Sequence, residues 1–426
     1  MGTGRLPINQ FFIAKITMRS LVFRITSLGV VATTTALSIL FAASTDAAPF
    51  VPASDGEVLE RLSARLGESG SQSQANRSMR ALLARDPENV DLAVRIAQRY
   101  VSLARTESDP RFLGQAQATL ARWWSLAEPP VPVLLLRATI RQSNHDFAGA
   151  KADLERALKR QPNLAQAWLT LATVQQVSGD YPAARSSCAK LVPLTTPLIS
   201  ITCTAGVDGV TGQAIAAYAA LDEAVAEASR ASASGSATSA SLLAWATTLQ
   251  AEIAERLGRT QAADKLYRRS LALDATDAYT LAAYADFLLD GGRASEVLPL
   301  IASTTRIDNL LLRRAIAAKL TGAADAAQTA HELTLRFAAA SARRDRVHQR
   351  EEARYTLIFK ADPAAALALA EANWKVQKEP LDARIALETA VAAKRPRAAQ
   401  DVLAWLASTQ LQSEKLSQLA AVARAL

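Results

Sequence analysis

Three histidines and two cysteines are a meagre stock for metal or nucleophile chemistry in this 426-residue chain. His331-Glu332 opens like a zinc-protease helix, where two imidazoles four residues apart ligate the metal and the Glu between them acts as base. Leu335 stands where the second His is needed, so that motif is absent. "GVDGVTG" spaces Gly206, Gly209 and Gly212 three apart without the Lys of a phosphate-binding loop. Close helix packing followed by an inter-helix turn explains it. Glu252 with Glu255, and Asp286 with Asp290, stand one helical turn apart, where solvated faces are the expectation. Asn76-Arg77-Ser78 is a single glycosylation sequon, and Trp123-Trp124 reads as an exposed aromatic site or as a plug at a helix end. No nucleophile–base set, cofactor cradle or metal cluster emerges. The expectation is a non-enzymatic protein with no cofactor and no metal.

The elements that position these residues are thin. Half of the residues are hydrophobic but only 5% are aromatic, and Ala dominates the apolar share. That composition suits repeated helix-on-helix contacts better than one thick core, and a single core seldom grows beyond ~250–300 residues. The net charge is +8. Its densest basic stretch, "ARRDRVHQREEAR" (342–354), interleaves three carboxylates and reads as a solvated face with internal ion pairs rather than a nucleic-acid patch.

The first segment reads as an address. Met18-Arg19 and Arg24 precede "ITSLGVVATTTALSILFAA", which has no charge, and then "STDAAPF". A basic start, an apolar run and small residues form an export signal, with cleavage expected after Ala47. An uncleaved anchor is the alternative, because the run is almost long enough to span a bilayer. Residues 1–17 read as an over-extended start. The expected locations are periplasmic or secreted, with no membrane span after cleavage.

Past residue 48 the chain repeats. Asp146-Phe147, Ala150 and Leu154 match Asp180-Tyr181, Ala184 and Cys188 at an interval of 34, with Gly179 standing where His145 stands. Gly258-Arg259 and Gly292-Arg293 repeat that interval. Apolar helical runs precede each turn; in one, Trp245, Leu249, Ile253 and Leu257 recur every four residues. A small Ala in the second helix lets two antiparallel helices approach. Gly or Asp supplies the turn and the next cap. Later, Ala361-Asp362-Pro363 and Lys394-Arg395-Pro396 mark turns 33 residues apart.

Trp168-x2-Leu171-Ala172, then Ala184-x3-Cys188, then Pro197 resembles the tetratricopeptide repeat family's pattern of W-x2-L-G-x2-Y, A-x3-F and P. The preceding copy supplies Ala150-x3-Leu154-x2-Ala157 and Pro162, and an earlier one Ala93-x2-Ile96-Ala97-x2-Tyr100. The resemblance implies an all-α, right-handed superhelical solenoid of about nine or ten helix pairs, with a closing helix near 413–425. The expected organisation is an N-terminal block over 48–227, a Ser/Ala/Gly-rich linker over 228–241 and a C-terminal block over 242–426. First helices would line a concave groove that binds a protein or peptide partner. In the best copy Gln166, Leu169, Thr170, Thr173 and Gln176 form that face, which is neutral and rich in amides. The competing class is an enzyme or small-ligand-binding protein that uses the degenerate C-terminal half, including Trp374 and the Arg343–Arg354 segment. Cys188 and Cys203 lie seven before and eight after Thr195, the centre of a helical hairpin. That puts them at one height on touching helices, either as a disulfide or as two buried thiols.

Overall fold

The computed structural model describes residues 70–106, 109–233, 238–303, 305–342 and 347–426. The expected start, signal segment and first residues of the N-terminal block, through residue 69, lie outside them. The described residues belong to one compact unit built of helices, with no strand among them. Helix α1 (Gly70–Arg85) precedes nine antiparallel pairs. These are α2 (Val90–Thr106) with α3 (Arg111–Thr119) and its continuation α4 (Ala121–Trp124); α5 (Val131–Ser143) with α6 (Phe147–Arg160); and α7 (Ala165–Val177) with α8 (Tyr181–Ala189). Next come α9 (Pro197–Asp208) with α10 (Ala214–Ala233), α11 (Ala240–Arg256) with α12 (Thr260–Leu273), and α13 (Ala278–Asp290) with α14 (Ala294–Leu300). The last are α15 (Asp308–Thr321) with α16 (Ala326–Ala342), α17 (Gln349–Tyr355) with α18 (Pro363–Val376), and α19 (Pro380–Ala392) with α20 (Gln400–Thr409). Helix α21 (Glu414–Arg424) closes the array.

The turn inside each pair explains the 34-residue punctuation. Two residues past the end of the first helix the backbone is left-handed: φ is 58° at His145, 84° at Gly179, and 72° at Gly258 and at Gly292. The next amide then reaches back to the carbonyl of the third-last helical residue, as Asp146 N does to Arg141 O (2.9 Å) and Asp180 N to Gln175 O (2.8 Å). Asp146 and Asp180 also cap the second helix, accepting from Gly149 N and Ala183 N. Five residues beyond each turn, Ala150, Ala184 and Ala263 are fully buried where the two helices meet.

The Ser/Ala/Gly-rich stretch does not divide the array. α10 runs through Ala233 and α11 begins at Ala240, so most of the expected linker is helical. One apolar cluster, containing Leu198, Ala217 and Leu221 on one side and Leu243, Ala246 and Ile253 on the other, spans it. Serine and alanine here serve helices that pack across the junction.

The array also curls back on itself. Tyr181, Cys188, Cys203 and Val207, from α8 and α9, share a cluster with Trp374, Ile385, Trp405 and Leu416, from α18 to α21. Lys378 N donates to Val177 O (2.7 Å), Trp405 Nε1 to Tyr181 Oη (2.9 Å), and Ala214 N to Gln412 Oε1 (3.1 Å). Gly179 is needed twice over, because a Cβ there would lie 3.0 Å from Lys378 Cδ on left-handed backbone.

Candidate functional site

The five residues expected to line the groove do not share one fate. Gln166 and Thr173 are exposed, and Leu169 is half-buried against the cluster that includes the returning C-terminal helices. Thr170 is buried, its hydroxyl donating to Gln166 O (2.9 Å), and Gln176 Nε2 donates to Gly206 O (3.3 Å) on the next first helix. Gly206 and Gly209 are the small residues that allow this closeness: a Cβ on the first would meet Gln176, and on the second Ile253. So the inner face near α7 and α9 is narrowed by the chain itself.

Further along, Glu252 and Glu255 are half-buried and Asp286 is buried, while Asp290 stays exposed. Asp286 is buried and accepts from Arg313 Nη2 (2.6 Å) and Arg354 Nη1 (2.5 Å). Burial alone would raise its pKa; the guanidinium groups of Arg313 and Arg354 win and hold the carboxyl well below the usual range. Asp290 accepts both nitrogens of the Arg384 fork (2.6 and 2.7 Å) and lies 3.5 Å from Lys415 Nζ. Glu255 accepts from Tyr267 Oη (2.7 Å), and burial pushes its carboxyl up to about 7. Burial likewise raises Glu252, which accepts from Tyr279 Oη (2.7 Å). The 342–354 stretch departs from expectation for the same reason, because Glu351 and Arg354 are buried. Arg350 lies against Glu351 (3.1 Å), Glu379 (2.9 Å) and Asp382 (3.4 Å). Desolvated charges survive here because each has a partner.

A cleft of about 940 Å³ opens where α17 and α18 come back beside α2, α3 and the α5–α6 turn. Its lining includes Arg105, Asn144, His145, His348, Gln349 and Lys375. Two of the three histidines thus meet, although they are 203 positions apart in the sequence. His145 is half-buried and stacks on Phe147 with ring centroids 5.4 Å apart. Burial foremost, and then the Arg350 charge, lowers its pKa, so the imidazole is neutral at neutral pH. The cleft has the volume of a ligand site. Among the described residues no group of three or more His, Cys, Asp or Glu is placed to hold a metal ion.

Other singled-out residues are structural. Trp374 is buried edge-on to Trp405 with centroids 5.3 Å apart, and Trp123 and Trp124 pack against the cluster of α2, α3 and α5. Asn76 of the sequon is buried. Cys188 and Cys203 are joined as a disulfide, with Cα atoms 5.5 Å apart. Sequence reasoning had His348 and Arg350 inside the Arg343–Arg354 segment of the competing reading but assigned no role to His145. The left-handed turn marked His145, but nothing local says what faces it.

No protein-family model matches the chain, and no curated protein does. Among solved structures it is similar to a chain of the Cut9–Hcn1 hetero-tetramer of the APC/C, with a TM-score of 0.38 and 14% identity over 82% of this chain and 52% of that one. The chain therefore spans about half the length of that relative. It is also similar to yeast Tom70 (TM-score 0.36, 10% identity, 84% and 85% covered). A tetratricopeptide repeat protein from Parabacteroides merdae gives a TM-score of 0.28 at 14% identity, with 69% and 98% covered. All three scores are below 0.5, so they carry no functional argument. The tetratricopeptide-like character rests on the chain's own spacing, turns and buried alanines.

Proposed function

We propose that the chain is an exported, non-enzymatic scaffold that holds a segment of a partner protein in the cleft between its N-terminal pairs and its returning C-terminal helices. One observation supports this most: α8 and α9 pack against the chain's own α18–α21, yet an open cleft of about 940 Å³ lies beside α17 and α18. Its mixture of apolar wall and amide or imidazole groups suits a peptide segment. Export and removal of residues 18–47 fit the signal-like start, and a periplasmic or secreted location follows from it. Nucleic acid is not the expected partner, since Arg350 and Arg354 of the basic stretch are held in internal ion pairs.

A photo-crosslinking residue placed at Ser143 or Val376, both in the cleft lining, tests the reading. A discrete crosslinked protein should form from these positions and not from exposed Leu320 on α15. Equal labelling from all three would remove the cleft from consideration. N-terminal sequencing of the mature protein tests export, with Ala48 as the expected first residue. The cleft volume also favours a second reading, a small-molecule site. A compound that raises the melting temperature, with no crosslinked protein, would select it.

A further inference from the structure

We infer that the Cys188–Cys203 bridge is a redox latch on the closed array. While it is intact, α8 and α9 hold the surface that receives α18–α21. Once it is reduced, those C-terminal helices come away while the N-terminal pairs stay folded. Tyr181, Ala184 and Cys188 are buried at intervals of three and four, one stripe of α8. Cys203 and Val207 are buried one turn apart on α9. All five belong to the cluster that the returning helices complete with Trp374 and Trp405. The bond therefore ties the two stripes together inside the surface that α18–α21 cover. The open end of the α8–α9 hairpin also grips those helices directly. Tyr181 Oη accepts from Trp405 Nε1 (2.9 Å) and donates to Lys378 O (3.3 Å), and just past α9 the Ala214 amide donates to Gln412 Oε1 (3.1 Å).

Helix α8 has nine residues, too few to hold its place by its own hydrogen bonds. The Arg185–Asp208 ion pair (2.7 Å) also joins the two helices, but it is exposed and adds little. The bond keeps the two stripes in register. Reduction puts two thiols where one bond was, and a packed interior gives way at its weakest seam rather than accept sulfurs at non-bonded distance. That seam is the contact with α18–α21, which no short loop enforces. Helix α18 carries Trp374 in the cluster and Lys375 and Val376 in the cleft lining, so the same bond sets one wall of the cleft. The latch is independent of what the cleft takes. Its chemistry is thiol–disulfide exchange. In closing, the two thiols give two electrons and two protons, through a mixed disulfide, to a small-molecule or protein disulfide that leaves as two thiols. In opening, a dithiol reductant returns them and becomes a disulfide itself.

Hydrogen exchange by mass spectrometry on the full-length protein, oxidised and after dithiothreitol, tests the latch. Reduction should speed exchange about tenfold or more across α19–α21 and at the Lys378 and Ala214 amides, and leave α5 and α6 unchanged. Cys188→Ala with Cys203→Ala carries no bond in any buffer and should match the reduced protein. It decides the outcome if dithiothreitol does not reach the buried sulfurs. Unchanged exchange in α19–α21 would overturn the latch, because closure would then ignore the bond. So would one uniform rise from α5 to α21, because the bond would then only stabilise the whole. The coupling must also run backwards. Tyr181→Phe deletes the hydroxyl that holds Trp405 and Lys378, so the equilibrium constant for forming its bridge in glutathione buffers should fall about fivefold. An unmoved constant overturns the latch as well. If circular dichroism shows Tyr181→Phe unfolded, Trp405→Phe deletes the donor instead and is read in the same way.

Discussion

Glu255 shows how the curve of the array changes a side chain that local spacing would leave in water. Its helix neighbours make it one of two carboxylates on a face; the fold puts Tyr267 on it and removes solvent, raising the carboxyl from 4.5 to about 7. A raised carboxyl pKa means that the native state binds the proton more tightly than the unfolded chain. The stability it contributes is fully present below about 4.5 and is lost as pH rises through about 7. Glu255→Gln keeps the neutral form throughout, so its urea midpoint should fall less across that window than the wild type's. Parallel curves would mean the group titrates as if unburied. The Cys188–Cys203 bridge is the other residue-scale test. It closes a 15-residue separation, for which the chain-entropy estimate is ~3 kcal/mol. Mass spectrometry of the protein purified without reductant should show no alkylatable thiol, and Cys188→Ala with Cys203→Ala should cost about that much by chemical denaturation. The cysteine pair was legible in the sequence because both residues sit at measured distances from one turn. Glu255's surroundings were not, because Tyr267 lies in another helix whose facing no spacing rule states.

At the scale of elements, the turns and the small residues were the readable part. His145 and Gly179 share an interval of 34 because both take left-handed backbone, and Asp146 and Asp180 follow because the next helix needs a cap. Gly292 isolates the backbone contribution, since a Cβ there meets nothing within 4 Å and φ is 72°. Gly292→Ala should therefore cost about 1–2 kcal/mol, the expense of left-handed backbone for an L-residue. An unchanged melting temperature would show that the α13–α14 turn relaxes instead. Ala184→Leu asks about steric space. Ala184 is fully buried between α7 and α8, so the larger side chain should destabilise by about 1–3 kcal/mol or more. Wild-type melting in that variant would place the helix contact elsewhere. Composition misled at one junction. The Ser/Ala/Gly-rich stretch reads as a linker because such residues are small and polar, yet Ser and Ala also fill helices, and there α10 and α11 absorb most of it.

For the whole molecule, the decisive contacts join residues that no window of sequence sees together. Arg384 reaches Asp290 across 94 positions, and Gln412 reaches Ala214 across 198. Helical periodicity gives each hairpin; the return of α18–α21 depends on small angles between pairs summed along the array, and no residue pattern reports that sum. Deleting residues 411–426 removes α21 and the Gln412 contact. Hydrogen exchange should then speed up at the start of α10 and in α8 and α9, while α5 and α6 keep their protection. Gln412→Ala, a milder change, should show the effect at the Ala214 amide alone. Unchanged exchange in both would mean the returning helices bear on nothing. The hydrogen bond from Trp405 Nε1 to Tyr181 Oη has a consequence in time. Its partners stand 224 residues apart. At ~5–20 residues per second, about 10–45 seconds of synthesis separate them. Each early hairpin can form in far less than that, but the apolar side of α8 and α9 stays uncovered until the last helices arrive. Completion of this core is therefore paced by the ribosome and by the search for one distant contact, rather than by any repeat on its own.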